Sequence, residues 1–316
     1  MAGMADRKLF WRDKKAHLSP KGWRKAIRTL NDEQYFKLSQ HKLSEKSILT
    51  VAGIPTPKFL GYFHDRAGRT VSNDPLRSLP DWMRFLTMVC GKRFCVKLAE
   101  GFGGTGFRAY HVGHDISSPE LRSLDGRKVD SKTVYDEMLA VVRDSGSGLI
   151  IEEYLEQHHI LQTLSRSSVN SVRIWVVIDR DGDAHFPLAF LRMGRGNSLV
   201  DNRSAGGLVA PIDVATGILS IAFDGTPRRT EYRTHPDTGA NISNVQLPFW
   251  PEVLNITERA IRIFPGIRFA GIDVAFAEYG PIILELNVEP ERTGAAITGV
   301  PSGIALGLLA TDHARR

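Results

Sequence analysis

The 316-residue sequence contains only two cysteines, no zinc-binding pattern and no long apolar run. Cys90 and Cys95 lie five residues apart, and no apolar signal region precedes them, so we expect buried thiols rather than a disulfide or a metal site. The apolar stretches are far shorter than the roughly 20 residues that cross a bilayer. These absences predict a globular, cytoplasmic protein without a membrane span.

Several catalytic and binding patterns are also missing. The chain has no GxSxG elbow, no Ser/His/Asp or Cys/His set and no GK[ST] phosphate loop. Its formal net charge of +6 is not accompanied by a zinc-finger, helix-turn-helix or RNP pattern. We therefore expect no side-chain nucleophile and no specific nucleic-acid partner, but a preference for anionic ligands.

The distribution of apolar residues predicts an α+β protein with three segments. Residues 1–40 form a basic helical arm, which we expect to be broken at Pro20 and Gly22. Residues 41–149 alternate short strands with helices, and residues 150–316 are dominated by strands. We expect the two larger segments to pack together and to hold a ligand in the cleft between them.

The strongest chemical signal is the segment GIDVAFAEYGPIILELNVEP. Asp273 lies in its first strand, while Glu285 and Asn287 are two residues apart in the second, so the latter two point to one face. Acidic residues among buried apolar ones need a cation, and hard oxygen ligands suit Mg²⁺. A buried salt bridge or a solvent-facing strand is the alternative interpretation.

A second signal is the segment CVKLAEGFGGTGF. Lys97 lies in a strand, and the glycines that follow, Gly103, Gly104 and Gly106 among them, allow backbone amides to surround phosphate oxygens. The adjacent His158 and His159 should point apart if their segment is extended, so we expect a structural or ribose-proximal role for them.

Arg173 and Arg192 lie in strands whose other inward positions are apolar. Buried guanidinium groups need anions. They could hold the γ-phosphate and then an acyl phosphate, which would make them catalytic, or they could pair with Asp179, Asp201 or Asp213.

Together these segments resemble the ATP-grasp superfamily over roughly residues 41–300, in particular its sugar-transfer associated family and the ribosomal-protein glutamate ligase group. The resemblance implies an ATP-grasp fold, with two α+β subdomains that clasp ATP between them after a short helical N-terminal arm. It implies ATP and Mg²⁺ or Mn²⁺ as cofactors, with Asp273, Glu285 and Asn287 as metal ligands. HKLSEK resembles the opening helix of D-alanine ligases, so Lys42 joins Lys97 at the nucleotide phosphates.

The same resemblance implies two further sets of residues. IIEEYLEQ corresponds to the segment that reads the adenine edge, which assigns Glu152, Glu153, Tyr154 and Leu155 to the adenine pocket. VDNRSAGG resembles the substrate segment of the glutamate ligases, which assigns Asn202, Gly206 and Gly207 to the substrate. The family commonly has small residues where this chain has NVEPER, and we assign Arg292 from that departure to substrate binding as well.

The predicted activity is ATP-dependent ligation of a small or carrier-bound carboxylate to an amine through an acyl phosphate. Two alternatives remain open: transfer of the γ-phosphate to a hydroxyl, as in ATP-grasp kinases, and ATP binding without turnover. Residues 1–40 are too few for the α/β domain that commonly precedes this region in ATP-grasp ligases. We expect the basic arm, residues 289–292 or a partner protein to select the substrate instead.

Overall fold

The computed structural model describes residues 16–101, 106–201, 206–226 and 228–307. The helices are α1 (Pro20–Leu30), α2 (Phe36–Gln40), α3 (Lys42–Val51), α4 (Leu79–Met88), α5 (Ser131–Ser145), α6 (His159–Leu164), α7 (Trp250–Arg262), α8 (Thr293–Thr298) and α9 (Ser302–Ala305). None of these described helices has the length and apolar character that crossing a membrane requires.

The strands form two antiparallel sheets. They are β1 (Phe59–Phe63), β2 (Arg69–Thr70), β3 (Arg93–Leu98), β4 (Arg108–Val112), β5 (Leu121–Ser123), β6 (Leu149–Glu153), β7 (Ser171–Ile178), β8 (Ala184–Met193), β9 (Leu208–Ile212), β10 (Ala222–Phe223), β11 (Glu231–Tyr232), β12 (Phe269–Ala277) and β13 (Gly280–Asn287). Helices and strands alternate along the chain, which confirms the predicted α+β class.

The elements are divided between two compact units. The small unit comprises Gln40–Ser44 and Pro57–Leu155, and the large unit comprises the described residues of Met1–Ser39, Glu45–Thr56 and Glu156–Arg316. The segment boundaries that the sequence suggested, at residues 40 and 149, stay predictions.

The small unit is built on a sheet with the strand order β2-β1-β6-β3-β4-β5. Helices α4 and α5 contribute Trp82, Phe85 and Met138 to its core, where they join Phe94 and Ile151 from the strands. Helix α4 begins with a reciprocal capping box, and α5 with an aspartate cap, so both helix starts have satisfied backbone donors. Strands β6 and β3 are central and neighbouring, which keeps their side chains in fixed register.

The large unit is built on a sheet with the order β11-β10-β9-β8-β7-β12-β13. The large sheet has a hydrophobic core on each face, and alternate residues of β7 point into one or the other. Ile174 and Val176 pack on the side of α7, while Trp175 packs on the side of α1. Strand β12 is buried along its whole length, and β13 is the edge strand next to it. The central strands are therefore covered by helices on both faces.

Residues 17–19 are not helical and α1 starts at Pro20, which agrees with the interruption predicted there, but the helix passes through Gly22 without the second predicted break. Proline is well tolerated at the first helical position, and the side chain of Ser19 caps the helix by accepting the N–H of Gly22. The buried face of α1 includes Trp23, whose ring packs 5.2 Å from that of Trp175, centroid to centroid. The arm is thus part of the large unit's core.

The stability of the large unit should fall as the pH falls from about 7.5 to about 5.5, because a buried neutral histidine must be protonated on unfolding. His235 is 1% exposed, donates from Nε2 to the oxygen of Gly194 at 3.0 Å, and burial lowers its pKa. Below its usual pKa of about 6.5 the unfolded state binds the proton first, so stability is lost as the pH approaches the lowered folded value.

Thermal unfolding midpoints across this range test the effect, with His235→Gln as the comparison. Glutamine can still donate to the oxygen of Gly194 but does not titrate. We expect its midpoint to depend less on pH than that of the wild type, and equal slopes for the two proteins would contradict the assignment.

Candidate active site

Four neighbouring strands of the large unit carry polar side chains on one face. Asp273 is opposite Arg173 across β12–β7 and opposite Glu285 across β12–β13, and Ser171 is opposite Arg192 across β7–β8. Residues opposite each other in a sheet, and residues two apart along a strand, share a face. The resulting polar cluster consists of Ser171, Arg173, Arg192, Asp273, Glu285 and Asn287, together with Asp201 described below.

Asp273 lies at the centre of the polar cluster and is 4% exposed. Arg173 donates from Nε to Oδ1 and from Nη2 to Oδ2 at 2.8 Å, and Arg192 donates from Nη2 to Oδ2 at 2.8 Å. Burial alone would raise the pKa of Asp273, but the two guanidinium groups outweigh it and lower the pKa below its usual value. Asp273 is therefore an anion at neutral pH.

Arg192 links Asp273 to a second buried acid, Asp201. The hydroxyl of Ser171 accepts from Arg192 Nη2 at 2.7 Å and donates to Asp201, whose Oδ2 is 3.6 Å from Arg192 Nε. Burial lowers the pKa of Arg192, but Asp201, Asp273 and Glu285 together raise it above its ordinary value. The guanidinium therefore keeps its charge in this buried position.

The two arginines have carboxylate partners, but only one of them, Asp201, is among the three acids that the sequence suggested. Asp201 faces Arg192. The main partner of both arginines is Asp273, for which the sequence offered a buried salt bridge as the alternative to metal binding. Two cations thus face three carboxylates, since Glu285 is on the same face.

The donor atoms of the polar cluster fit a magnesium or manganese ion. Within the described residues, Oδ1 of Asp273 accepts one N–H and Oδ2 accepts two. A carboxylate has about four lone-pair positions, so one position on Oδ1 is left for a metal ion. The Nδ2 atom of Asn287 is buried and has no hydrogen-bond partner among the described residues. Rotation of this amide would present its oxygen instead. With Glu285, these form an all-oxygen set of the kind that hard cations prefer.

In the small unit, both predicted phosphate lysines lie near the start of the glycine-rich segment. Lys97 Nζ is 2.7 Å from Oε2 of Glu152, which is 2% exposed, and the two residues are diagonal neighbours on β3 and β6. Lys42, the first residue of α3, donates from Nζ to the oxygen of Gly101 at 2.7 Å. Glu152, which the sequence assigned to the adenine pocket, pairs with the ammonium of Lys97.

The remaining predicted adenine residues end strand β6. The backbone N–H groups of Glu153 and Tyr154 donate to the oxygens of Lys58 and Arg93 at 2.9 and 3.0 Å. Burial raises the pKa of the Tyr154 hydroxyl to about 12. Within the described residues, the N–H of Leu155 takes part in no hydrogen bond. Leu155 is therefore the member of this group whose amide can serve a ligand.

Three of the predicted residues lie outside the part of the chain that the structure describes: Gly103, Gly104 and Asn202. Gly106 has a φ of +73° and Gly206 a φ of +86°, which residues with a side chain rarely adopt. Gly206 and Gly207 immediately precede β9, whose Val209 is opposite Arg192. The glycine pair therefore lies within three residues of the position on β9 that pairs with Arg192 of the polar cluster.

The guanidinium of Arg292, which the sequence assigned to substrate binding, is hydrogen-bonded to the segment before α1. Its Nη1 donates to the backbone oxygen of Leu18 at 2.8 Å, in the segment that precedes α1. Its direct contact is therefore with the N-terminal arm.

His158 and His159 do not point apart, because they begin helix α6 instead of lying in a strand. Their rings stack at 4.2 Å with 29° between the planes, and Glu278 is 3.1 Å from His159 Nδ1. These three residues are the one group of His, Cys, Asp or Glu in the described residues that has metal-like spacing. In this structure they cap the start of α6, because His158 Nδ1 accepts the N–H of Ile160 and Glu278 accepts the N–H of His159.

Two members of the polar cluster were missed or underrated by the sequence interpretation. Ser171 lies two residues before Arg173, so strand alternation could have identified it as sharing the same face. Asp201 was considered only as a partner of the arginines, and its bonds from Ser171 depend on tertiary packing that no local pattern encodes.

A family model described as sugar-transfer associated ATP-grasp matches residues 24–307. The chain belongs to this family. The matched range includes all of the polar cluster and both lysines, and it confirms the resemblance found in the sequence. A comparison with curated protein sequences gave no match.

Solved structures similar to this ATP-grasp protein share its fold at low sequence identity. D-alanyl-alanine synthetase A from Vibrio cholerae O1 biovar eltor has a TM-score of 0.50 and 11% identity, over 87% of this chain and 65% of that chain. D-alanine–D-alanine ligase from Bacillus anthracis has a TM-score of 0.46 and 13% identity, over 88% and 68%. The ATP-grasp ligase PsnB, complexed with a phosphomimetic variant of its minimal precursor, Mg and ADP, has a TM-score of 0.47 and 15% identity, over 89% and 61%.

The ATP-grasp fold and the N-terminal helix expected from the sequence are therefore confirmed. Identities of this size show the fold alone. The chain spans less than two thirds of the length of PsnB.

Proposed function

We propose that this protein is a ligase that uses ATP, with Mg²⁺ or Mn²⁺, to join a carboxylate to an amine and releases ADP and phosphate. One observation carries the proposal: Asp273, Glu285 and Asn287 share a face of the sheet with two partly buried arginines. This combination of oxygen ligands and guanidinium groups suits phosphoryl transfer, in which charge spreads over phosphate oxygens. Membership of the ATP-grasp family supports ATP as the phosphoryl donor.

Asp273, Glu285 and Asn287 would hold the metal ion. A bound ion would supply the positive charge that neutralises the phosphates of ATP. Asp273 is suited to this role because the two arginines keep it ionised, and Nδ2 of Asn287 has no hydrogen-bond partner in the described part of the chain. Glu285 is opposite Asp273 in the β12–β13 pair, so the two carboxylates meet on one face.

Arg173 and Arg192 would act as the catalytic cations. Arg173 commits Nε and Nη2 to Asp273, and Arg192 holds Asp273 and Ser171, so each guanidinium is fixed in orientation before any ligand arrives. Their other N–H groups can donate to the transferred phosphoryl group and to the phosphate that leaves the acyl phosphate. Such preorganised donors cost no reorganisation during the reaction.

In the small unit, Lys42 and Lys97 would neutralise the nucleotide phosphates, and Gly103, Gly104 and Gly106 would cover them. The amide of Leu155 would donate to the adenine edge, while Glu153 and Tyr154 shape the pocket around it. Glu152 would contribute by orienting Lys97.

The bond changes need no side-chain nucleophile. A carboxylate oxygen attacks the γ-phosphorus as the bond to ADP breaks, and the amine then displaces phosphate from the acyl carbon and loses a proton. We propose a small or carrier-bound acid and a separate amine as substrates, bound near Asn202, Gly206, Gly207 and Arg292. Arg292 also holds the N-terminal arm through Leu18. We propose a cytoplasmic location, where ATP is abundant, and no nucleic-acid partner.

The test measures ADP and free phosphate released by the purified protein with Mg²⁺ and ATP, across a panel of amino acids, sugar acids and amines. We expect both products to appear only when an acid and an amine are present together. Glu285→Ala serves as the inactive control.

The other outcomes would overturn the proposal. ADP without free phosphate, together with a stable phosphorylated product, would identify a kinase. Tight ATP binding without turnover on any combination would identify a non-catalytic nucleotide-binding protein.

A further inference from the structure

Strand β13 carries two of the proposed metal ligands, Glu285 and Asn287, although it is the edge strand of its sheet. Within the described residues, no strand pairs with its outer side. An edge strand has backbone groups without ladder partners, and its register is held less firmly than that of a central strand. The positions of the two ligands therefore depend on contacts from outside the sheet.

The inner part of β13 obtains two such contacts. The N–H of Ile283 donates to the oxygen of Pro55 at 2.9 Å, and the N–H of Leu286 donates to Oε1 of Glu45 at 2.8 Å. The second bond acts on the peptide between Glu285 and Leu286. It fixes that peptide but not the end of the strand, where Asn287 lies.

The end of the strand is held by Asn31, the residue that follows helix α1. Asn31 is 2% exposed. Its Nδ2 donates to the oxygens of Phe269 and Val288 at 2.7 and 2.8 Å, and its Oδ1 accepts the N–H groups of Arg268 and Phe269 at 3.0 and 2.9 Å. One amide thus ties the start of β12 to the residue directly after Asn287.

Helix α1 is itself fixed against the same segment. Trp23 packs against Trp175 and Phe269, and its Nε1 donates to the oxygen of Pro290 at 3.2 Å. The arm therefore contacts the continuation of β13 at both Val288 and Pro290, just beyond the end of the strand.

We propose that Asn31 is a positioning residue for the metal site, and that the N-terminal arm belongs to the metal-binding machinery. This inference rests on the proposed function, because it concerns the same Mg²⁺ or Mn²⁺ site. Asn31 acts through Val288, which directly follows Asn287, and through Phe269, which begins the strand that carries Asp273.

Asn31→Ala should weaken metal binding by about 10- to 100-fold, the usual effect of removing a residue that orients a metal ligand. The probe is Mn²⁺, titrated into the full-length protein with ADP present and followed by the electron paramagnetic resonance of free Mn²⁺. In turnover assays, the Mg²⁺ concentration needed for half-maximal rate should rise by a similar factor.

Ser302→Ala is the matched control. Ser302 accepts the N–H of Leu18 at 2.8 Å, so this variant also loosens the arm but leaves every bond to the hairpin intact. We expect its Mn²⁺ affinity to match the wild type. If Asn31→Ala lowers the melting temperature but binds Mn²⁺ as tightly as the wild type, Asn31 has only a structural role and the inference is wrong.

Two further results separate this inference from the function on which it rests. If the wild type itself binds no Mn²⁺ with ADP, the proposed function fails, and the inference fails with it.

If Asn31→Ala does not fold, Trp23→Phe replaces it, because phenylalanine keeps most of the packing and removes only the donor to Pro290. We expect a smaller loss of Mn²⁺ affinity for Trp23→Phe, and an unchanged affinity would overturn the inference.

Discussion

Glu285→Gln should lower the turnover number for ADP formation by about 10²- to 10³-fold, the size of effect seen when one group that stabilises developing charge is removed. Glutamine keeps the shape and one oxygen but removes the negative charge that a hard cation needs. Glu285 lies half-buried on the edge strand, so its neutral replacement should leave the fold and the melting temperature nearly unchanged. Steady-state ADP release at saturating ATP measures the effect.

Glu278→Gln is the control for this prediction. Glu278 lies in the turn between the same two strands, but it contacts His158 and His159 rather than the polar cluster. We expect full activity for this variant. Wild-type turnover by a correctly folded Glu285→Gln protein would rule out Glu285 as a metal ligand.

Arg192→Met should reduce both activity and stability. The guanidinium faces Asp273, Asp201 and Ser171, and breaking a buried pair of this kind typically costs about 3–5 kcal/mol because a charge is left uncompensated. Loss of a cation at the transferred phosphoryl group should also lower turnover by about 10²- to 10³-fold. Urea unfolding and ADP release measure the two effects separately.

A double variant distinguishes a catalytic Arg192 from a purely structural one. Adding Asp201→Asn removes the acid that Arg192 no longer neutralises, while the new amide oxygen can still accept from Ser171. Burial already raises the pKa of Asp201, so loss of its charge should be tolerated. We expect stability to recover in part and activity to stay low. Recovery of activity together with stability would mean that Arg192 serves only the fold.

The amino-acid sequence is sufficient to predict the hairpin that carries the proposed metal ligands. Acidic and amide residues alternate with isoleucine and leucine in β13, and this period of two is enough to place Glu285 and Asn287 on one face. The glycine-rich segment and the lysine that precedes it can also be recognised, because their residue types and spacing are visible in a short stretch of sequence.

Contacts between distant segments could not be predicted in this way. Asp273 and Arg173 are 100 residues apart, and their opposition depends on the register of β12 against β7, which local patterns do not specify. Asn31 was missed for the same reason, since an asparagine after a helix gives no sign that its amide will hold a hairpin more than 200 residues away.

Errors in the local predictions came from the ends of helices. Gly22 was interpreted as a second break after Pro20, yet Pro20 begins α1 and the helix continues through Gly22. The two adjacent histidines were interpreted as extended, yet they begin α6. Proline and polar residues both favour the first positions of a helix, so each signal marks a start as readily as an end.

The most direct test of carboxylate activation follows an oxygen atom from the acid to phosphate. The acid that the substrate panel selects is labelled with ¹⁸O in its carboxylate and turned over with ATP, Mg²⁺ and the amine. If the acid attacks the γ-phosphorus, each released phosphate carries one labelled oxygen. Release of unlabelled phosphate from the labelled acid would contradict an acyl-phosphate intermediate and with it the proposed ligase.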